Sequence, residues 1–269
     1  MTSLEGRTAL VTGGGTGLGR SMSLKLAEMG ADVVVNYSRS ETDAEATTAE
    51  IRALGRKAEV VGADVSTTEG CAKLAGAVAD LSGGTLDILV NNAGVTKHAR
   101  DHGDLSALTK DDFLRLYEVN VVGPFLCLQA LKPALVAAAE ATGRASAVLN
   151  TSSIAGVMGI GSSVAYAASK GALNTMTLSL ARGLAPSIRV NSVCPGFIGT
   201  RWFKDAMDEE AYAAQVAAVE ASTPLQAASG PDDVADAALF FVTDAARHVT
   251  GELLLVDAGL HLGATPLKK

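Results

Sequence analysis

Three things that the sequence lacks narrow its function before any motif is considered. It has no basic surplus, because 22 Lys and Arg against 29 Asp and Glu give a net charge of −7, which argues against nucleic acid or an anionic membrane as partner. It has no run of eighteen apolar residues, and residues 1–7 lack the blocks of a secretory signal. Its three cysteines form no CxxC pair, which is typical of buried thiols in a reducing compartment. We therefore expect a cytoplasmic protein.

Aromatic residues are also scarce, at 4% of the chain, whereas the chain has 28 glycines and is rich in Ala, Val and Leu. Small side chains of this kind suit helices packed closely on a parallel sheet. His98 and His102 lie four residues apart but outside any H-E-x-x-H motif, so a solvated loop is expected there and no metal site.

Apolar, β-branched runs alternate with longer helical stretches along the whole chain. Strands are predicted at Thr8–Thr12, Asp32–Asn36, Ala58–Val61, Ile88–Asn91, Ala147–Asn150, Arg189–Val193 and Leu253–Val256. Helices are predicted near Leu18–Met29, Asp43–Leu54, Glu69–Leu81, Lys110–Ala141, Ala165–Leu184 and Asp232–Thr243. This rhythm predicts one α/β domain over residues 1–269, a doubly wound, seven-stranded parallel sheet of Rossmann type with helices on both faces. The stretch Gly196–Ala228 falls outside the rhythm and is expected to form a substrate-covering lid.

A glycine-rich turn follows the first predicted strand and opens the first helix. Gly13, Gly17 and Gly19 follow the spacing G-x-x-x-G-x-G, which would let the backbone approach a pyrophosphate at the helix N-terminus. A purely structural turn is the alternative, since such a turn alone is a weak signal. The acid that usually binds the adenosine ribose is missing from the end of strand two, because Asp32 lies at that strand's start.

Polar residues that could carry proton transfer follow the later strands. Asn91–Gly94 ends strand four, Asn120 lies in the next helix, Ser153 follows strand five, and Tyr166 comes thirteen residues later. Lys170 is one helical turn beyond Tyr166, so both side chains can point into the same cleft. Bringing a tyrosine from its usual pKa near ~10 to about 7 needs roughly 4 kcal/mol of preference for the phenolate. A nearby lysine and a cationic cofactor ring could supply it.

Together these residues resemble the short-chain dehydrogenase/reductase family along essentially the whole chain. The matching segments are Thr12–Gly19, Asp64-Val65, Asn91–Gly94, Asn120, Ser153, Tyr166-x-x-x-Lys170, Pro195-Gly196 and Val249–Gly259. The resemblance implies an oxidoreductase that moves a hydride between NAD(P) and a carbonyl/alcohol pair. It implies that Ser153 steadies the substrate oxygen, Tyr166 transfers the proton, Lys170 lowers the pKa of Tyr166, and Asn120 bends its helix and anchors a water. Ser152 is an alternative to Ser153.

The same resemblance implies a set of cofactor contacts along the cleft. These are Gly13, Gly15, Thr16, Gly17, Leu18, Gly19, Tyr37, Ser38, Arg39, Asp64, Val65, Asn91, Ala93, Gly94, Tyr166, Lys170, Pro195, Gly196, Ile198 and Thr200. Asp64 and Asn91 have alternatives as a cap and a turn former. Because Tyr37 replaces the ribose-binding acid and Arg39 can fork onto a phosphate, NADP(H) is favoured. NAD(H) stays possible, since Thr16 stands where some NADP-preferring relatives carry a second basic residue.

The substrate is less closely defined by the sequence. A ketone or 3-oxoacyl compound is favoured, but Leu131–Arg144 has few of the cations that an acidic carrier protein would need. The loop Val95–Leu108 and the lid residues Phe197, Trp202, Phe203 and Met207 are expected to shape the pocket. The alternatives are an NAD-dependent alcohol or sugar dehydrogenase, a non-catalytic cofactor-sensing regulator and a nucleotide-sugar epimerase. The apolar helices Lys110–Ala141 and Ala165–Leu184 predict a homotetramer, or failing that a dimer.

Overall fold

The computed structural model of the chain describes residues 3–201 and 208–263. Its strands are β1 Thr8–Val11, β2 Asp32–Tyr37, β3 Ala58–Gly62, β4 Ile88–Asn91, β5 Ser146–Thr151, β6 Ile188–Pro195 and β7 Leu253–Val256. All pair in parallel, in the order β3-β2-β1-β4-β5-β6-β7. The predicted seven-stranded, doubly wound sheet is confirmed.

The helices cover both faces of this sheet. They are α1 Gly17–Glu28, α2 Glu41–Ala53, α3 Thr68–Ser82, α4 Lys110–Tyr117, α5 Gly123–Thr142, α6 Ala155–Met158, α7 Val164–Leu184, α8 Glu209–Ser222 and α9 Pro231–Leu239. Alternate residues of β1 serve the two faces, since Ala9 and Val11 pack with α1, α2 and α9, whereas Leu10 packs with α3, α5 and α7. Burial on both faces explains why the strands read as unbroken apolar runs.

Two predicted segments differ from the structure. The single helix expected over Lys110–Ala141 is divided by a π-helical turn at Glu118–Val122. The helix expected over Asp232–Thr243 becomes α9 followed by a short 3-10 turn at Phe240–Val242. In the predicted lid stretch, α8 is present, whereas Trp202, Phe203 and Met207 lie outside the described residues.

Candidate active site

The carboxyl ends of the strands open onto a cavity of about 730 Å³. It lies where the strand order reverses between β1 and β4, the usual ligand-binding position in open parallel sheets. The predicted residues that line it are Gly13, Gly15, Thr16, Gly17, Leu18, Gly19, Tyr37, Ser38, Arg39, Asp64, Val65, Ala93, Gly94, Ser153, Tyr166, Lys170, Pro195, Gly196, Ile198 and Thr200. Two predicted residues, Asn91 and Asn120, are not in its wall.

The glycine-rich turn needs its glycines because other backbone lies against it. A Cβ at Gly15 would lie 2.6 Å from Ala44 Cα, and one at Gly19 would lie 2.1 Å from the Gly13 carbonyl oxygen. The Thr16 side chain caps none of the first-turn amides of α1, which leaves those N–H groups for an anion. A Cβ at Gly17 would meet Thr200 at 3.3 Å, so the loop after β6 lies over the turn. This narrow backbone cradle fits the pyrophosphate of a dinucleotide.

Two asparagines that sequence reasoning missed hold this turn in place. Asn36 Oδ1 accepts a hydrogen bond from the Gly13 amide at 3.2 Å, while its Nδ2 donates to three carbonyls of β2 and the end of β3. Asn92 Nδ2 donates to the Thr12 carbonyl at 3.0 Å and the Gly13 carbonyl at 3.2 Å. Both side chains line the cavity. The sequence feature that could have identified them is an asparagine at the end of a strand, where its side-chain amide can form hydrogen bonds with the backbone of the turn.

The structure contradicts the predicted cofactor contact of Asn91. Its side chain is 3% exposed and donates through Nδ2 to Asn150 Oδ1 at 3.0 Å, and Asn150 in turn donates to Thr177 Oγ1. Successive side chains of a strand point to opposite faces, so Asn91 turns toward α7 while Asn92 meets the turn. The amide that supports the cofactor side is therefore one residue later than predicted.

Asn120 lies in the π-helical turn and is fully buried behind the cavity wall. Its Oδ1 accepts from the Val95 amide at 2.9 Å, and its Nδ2 donates to the Val95 carbonyl and Ser169 Oγ, both at 3.0 Å. A Cβ at Gly94 would lie 3.3 Å from Asn120 Oδ1 and 3.7 Å from Lys170 Nζ, so these two groups flank the same point. Asn120 thus joins the loop after β4 to α7.

Ser153 and Tyr166 face one another across the cavity. Ser163 caps α7 by accepting from the Tyr166 amide at 3.1 Å, which fixes the start of the helix that carries Tyr166 and Lys170. The Ser153 hydroxyl is near enough to the Tyr166 phenol to lower its pKa. Ser152 instead is 3% exposed and donates to the Lys170 carbonyl at 3.1 Å. Of the two serines, Ser153 is the one placed beside the phenol.

Burial controls the ionisation of the tyrosine and the lysine. It raises the pKa of Tyr166 to about 12, an effect that the nearby Ser153 hydroxyl partly offsets. It lowers the pKa of Lys170 to about 8. Lys170 Nζ donates to the Thr151 carbonyl at 2.8 Å and lies 5.7 Å from the centroid of the Tyr166 ring. The lowering of the Tyr166 pKa by Lys170 stays a prediction.

At the opposite end of the cavity, Asp64 stabilises a turn and Tyr37 forms a hydrogen bond with a carboxylate. Asp64 Oδ1 accepts from the Ser66 amide and hydroxyl at 2.9 and 2.7 Å, and these bonds hold the pKa of Asp64 below its usual value. The Tyr37 hydroxyl bonds to Glu41, the first residue of α2. The sequence predicted no carboxylate at the end of strand two, and the carboxylate found beside Tyr37 belongs to the following helix. Glu41 lies outside the cavity wall.

The cavity wall also combines apolar and basic side chains. Loop 95–108 is joined to the segment before α7, because the Ala99 amide donates to the Ser162 carbonyl at 2.7 Å. Seven further side chains line the cavity: His98, Arg100, Ile160, Phe197, Gln215, Val219 and Leu260. The loop, Phe197 and the α8 residues belong to segments that were predicted to shape or cover the pocket, whereas Ile160 was not anticipated.

Comparison with known proteins agrees with this architecture. The family model described as enoyl-(acyl carrier protein) reductase matches residues 13–261. A 3-oxoacyl-[acyl-carrier-protein] reductase of Synechocystis is 35% identical over 262 residues, covering 97% of this chain and 99% of that one. An L-rhamnose 1-dehydrogenase (NAD(P)(+)) of Sphingomonas is 34% identical over 263 residues, covering 97% and 99%.

Solved structures give the same assignment. A short-chain dehydrogenase of Burkholderia cenocepacia in complex with NADP is 35% identical, with a TM-score of 0.83 over 96% of this chain and 99% of that one. Fold, sequence and cleft agree over nearly the full length. The chain belongs to the short-chain dehydrogenase/reductase family, and it is an oxidoreductase that acts on CH–OH groups.

Proposed function

We propose that the protein is an NADPH-dependent reductase of a ketone or 3-oxoacyl compound, with Tyr166 as its proton donor. The observation that carries this proposal is the meeting of Ser153, Tyr166 and Lys170 in the same cavity as the glycine-rich turn. The bound nicotinamide would supply the hydride. The chain's own side chains would hold the carbonyl, stabilise its developing charge and deliver the proton.

Ser153 and Tyr166 would both bind the carbonyl oxygen. Their hydroxyl groups line the same cavity, so the oxygen can meet two donors as negative charge develops on it. Because the pKa of Tyr166 is about 12, the phenol is protonated at neutral pH and serves as the acid. Its proton passes to the alkoxide, which leaves a phenolate beside Ser153.

Lys170 would stabilise that phenolate by its charge and contact the cofactor ribose. Its pKa of about 8 leaves the ammonium protonated in most molecules at pH 7. Asn120 is a positioning residue, because its amide bonds hold Val95 and Ser169 on either side of Lys170. An intact set of this kind has no use in a non-catalytic cofactor sensor, which speaks against that alternative.

The preference for NADPH rests on the end of β2. Tyr37 stands there instead of an acid, and the exposed Arg39 lines the adenosine end of the cavity. A guanidinium can bind a phosphate through two parallel hydrogen bonds. The NADP complex of the Burkholderia relative is compatible with this choice. The alternative, an NAD-dependent sugar or alcohol dehydrogenase, draws on the rhamnose dehydrogenase relative.

A ketone with an apolar body suits this cavity. Ile160, Phe197, Val219 and Leu260 give its wall apolar surface, which a bare sugar would use poorly. His98 and Arg100 add polar groups to the same wall. The Synechocystis relative reduces a 3-oxoacyl group, and the present cavity could take such a chain without its carrier.

We also propose a homotetramer, with a dimer as the alternative. The run Lys110–Thr142 is long and apolar enough to cross a membrane by length and composition, yet the buried side chains of α5 pack on the sheet. Leu114, Val122 and Phe125 stay between 42% and 49% exposed along it, and Leu178 of α7 is 43% exposed. Helices with a second apolar side need a second contact surface. A subunit interface over these helices would cover it.

The decisive experiment replaces Tyr166 by Phe. Turnover with NADPH and a panel of aliphatic and aromatic ketones should fall at least a hundredfold, because the phenol supplies the proton. Cofactor affinity, measured by NADPH fluorescence, should change less than twofold, since the ring and its packing are kept. If the variant retained more than a tenth of wild-type turnover, the assigned mechanism would be wrong.

A further inference from the structure

A second arginine reaches the adenosine end of the cavity from a part of the chain far from Arg39. Arg115 lies on α4, and its side chain lines the same cavity as Arg39, Ser38 and Asp64. In the sequence the two arginines are separated by α2, β3, α3 and β4. Sequence reasoning looked for the second cation at Thr16, on the glycine-rich turn, where this chain has none.

A smaller adjoining cavity of about 380 Å³ shows that the two guanidinium groups face a common space. Arg39 and Arg115 both line it, together with Gly94, Val95, Thr96, Lys97, Asp112 and Leu116. Lys97 Nζ lies 3.5 Å from Asp112 Oδ1, so this carboxylate has a cation of its own. The two arginines are thus the cations that the adjoining cavity shares with the main one.

Both arginines also act electrostatically on one carboxylate at the cavity floor. Each lowers the pKa of Asp64, after the larger effect of the Ser66 hydrogen bonds. Two separate elements therefore bring positive charge to the residue that the family resemblance assigns to the adenine. The positive electrostatic potential at this end of the cleft therefore favours a ligand that carries more negative charge than a single carboxylate.

Neither guanidinium is strongly engaged by the described part of the protein. Arg115 Nη1 lies 3.8 Å from Glu118 Oε2, one turn along the same helix, and both side chains are about half exposed. Such a surface pair contributes little, so a phosphate can compete with it. Within residues 3–201 and 208–263, no carboxylate lies within 4.0 Å of Arg39.

We propose that Arg115 is a second determinant of cofactor choice, and that Arg39 and Arg115 approach the adenosine 2′-phosphate from two elements and bind it together. This inference rests on the proposed NADPH preference. A phosphate dianion accepts charge-assisted hydrogen bonds from more than one guanidinium, and each such bond adds discrimination against a ribose that carries only hydroxyl groups.

The test uses two ligands that differ only in the 2′-phosphate, adenosine 2′,5′-bisphosphate and AMP, with binding to the full chain measured by calorimetry. The wild-type protein should bind the bisphosphate at least tenfold more tightly. Arg115→Ala should reduce this ratio about tenfold, by weakening the bisphosphate and leaving AMP within twofold. Lys110→Ala is the matched control, since it removes a charge from the same helix at an exposed residue outside both cavities, and its ratio should stay within twofold.

Three results would overturn the inference. An unchanged ratio in Arg115→Ala would show that Arg115 does not reach the phosphate. An equal loss of affinity for both ligands would show that Arg115 stacks on the adenine. An equal change of the ratio in Lys110→Ala would show that the effect comes from the overall charge of the helix. A wild-type protein without preference for the bisphosphate would instead remove the proposed NADPH specificity itself, before any variant is compared.

Discussion

Lys170 is expected to reduce the stability of the fold that it serves, and Lys170→Met is the variant that measures this effect. Lys170 is 4% exposed, and burial lowers its pKa from 10.5 to about 8. At pH values below 8 the lysine is charged in both the folded and the unfolded chain, so folding bears the full cost of burying the ammonium. A methionine of similar length keeps the packing and removes the charge.

The magnitude follows from the shift in pKa. A difference of about 2.5 pKa units at about 1.4 kcal/mol each corresponds to roughly 3 to 4 kcal/mol of lost stability at pH 6.5. The hydrogen bond from Nζ to the Thr151 carbonyl, lost in the variant, is worth about 1 kcal/mol. Lys170→Met should therefore raise the free energy of unfolding by about 2 to 3 kcal/mol at pH 6.5.

The sign of the pH dependence distinguishes this account from improved packing. Because the folded pKa is lowered, the wild-type chain becomes more stable as pH rises from 8 toward 10.5, where both states lose the charge. The advantage of Lys170→Met should thus shrink over that range. Urea unfolding without cofactor at pH 6.5 and 9.5 gives both values, with the exposed Lys73→Met as control within about 0.5 kcal/mol. A gain that is absent at pH 6.5, or independent of pH, would refute the reasoning.

Three further outcomes are expected. Arg39→Ala should lower kcat/KM with NADPH by about ten- to a hundredfold and leave NADH nearly unchanged, and Tyr37→Asp should shift preference toward NADH; a wild-type enzyme at least tenfold better with NADH would contradict both. Gly15→Ala should abolish cofactor binding in calorimetry and lower the melting temperature, because the added Cβ would meet Ala44. The control is Gly76→Ala in α3, where the space is open and the helix should become more stable by about 1 kcal/mol. Equal melting temperatures of the two variants would contradict the proposed backbone cradle. Light scattering at micromolar concentration should give a tetramer or dimer, and a monomer would remove the proposed interface.

The sheet could be predicted because strands that are buried on both faces have a recognisable run of apolar residues in the sequence. β1, β2 and β4–β6 read as short apolar runs between helical stretches, and parallel strands allow few connections. The π-helical turn at Glu118–Val122 has no such recognisable pattern. It depends on the side chain of Asn120 bonding to Val95 on one element and Ser169 on another, which no local pattern in the helix encodes.

The candidate site was predictable where chemistry and spacing coincide on one element. Tyr166 and Lys170 share a helix face by their four-residue spacing, and the glycines of the turn follow a strand directly. Asn91 was misassigned because the two adjacent asparagines point to opposite faces, and the strand's final register decides which one meets the turn. The bond from the Lys170 ammonium to a carbonyl of β5 joins two elements and could not be predicted from the helix spacing.

The sequence by itself determined the fold class, the family and the motif residues that meet in the cleft, since these depend on periodicity and on motifs within single elements. The tertiary structure decided how those residues interact and which distant side chains join them. Arg115 is the clearest case, because a helix surface arginine has no local signature of a ligand contact. Only the folded chain brings Arg115 into the same two cavities as Arg39.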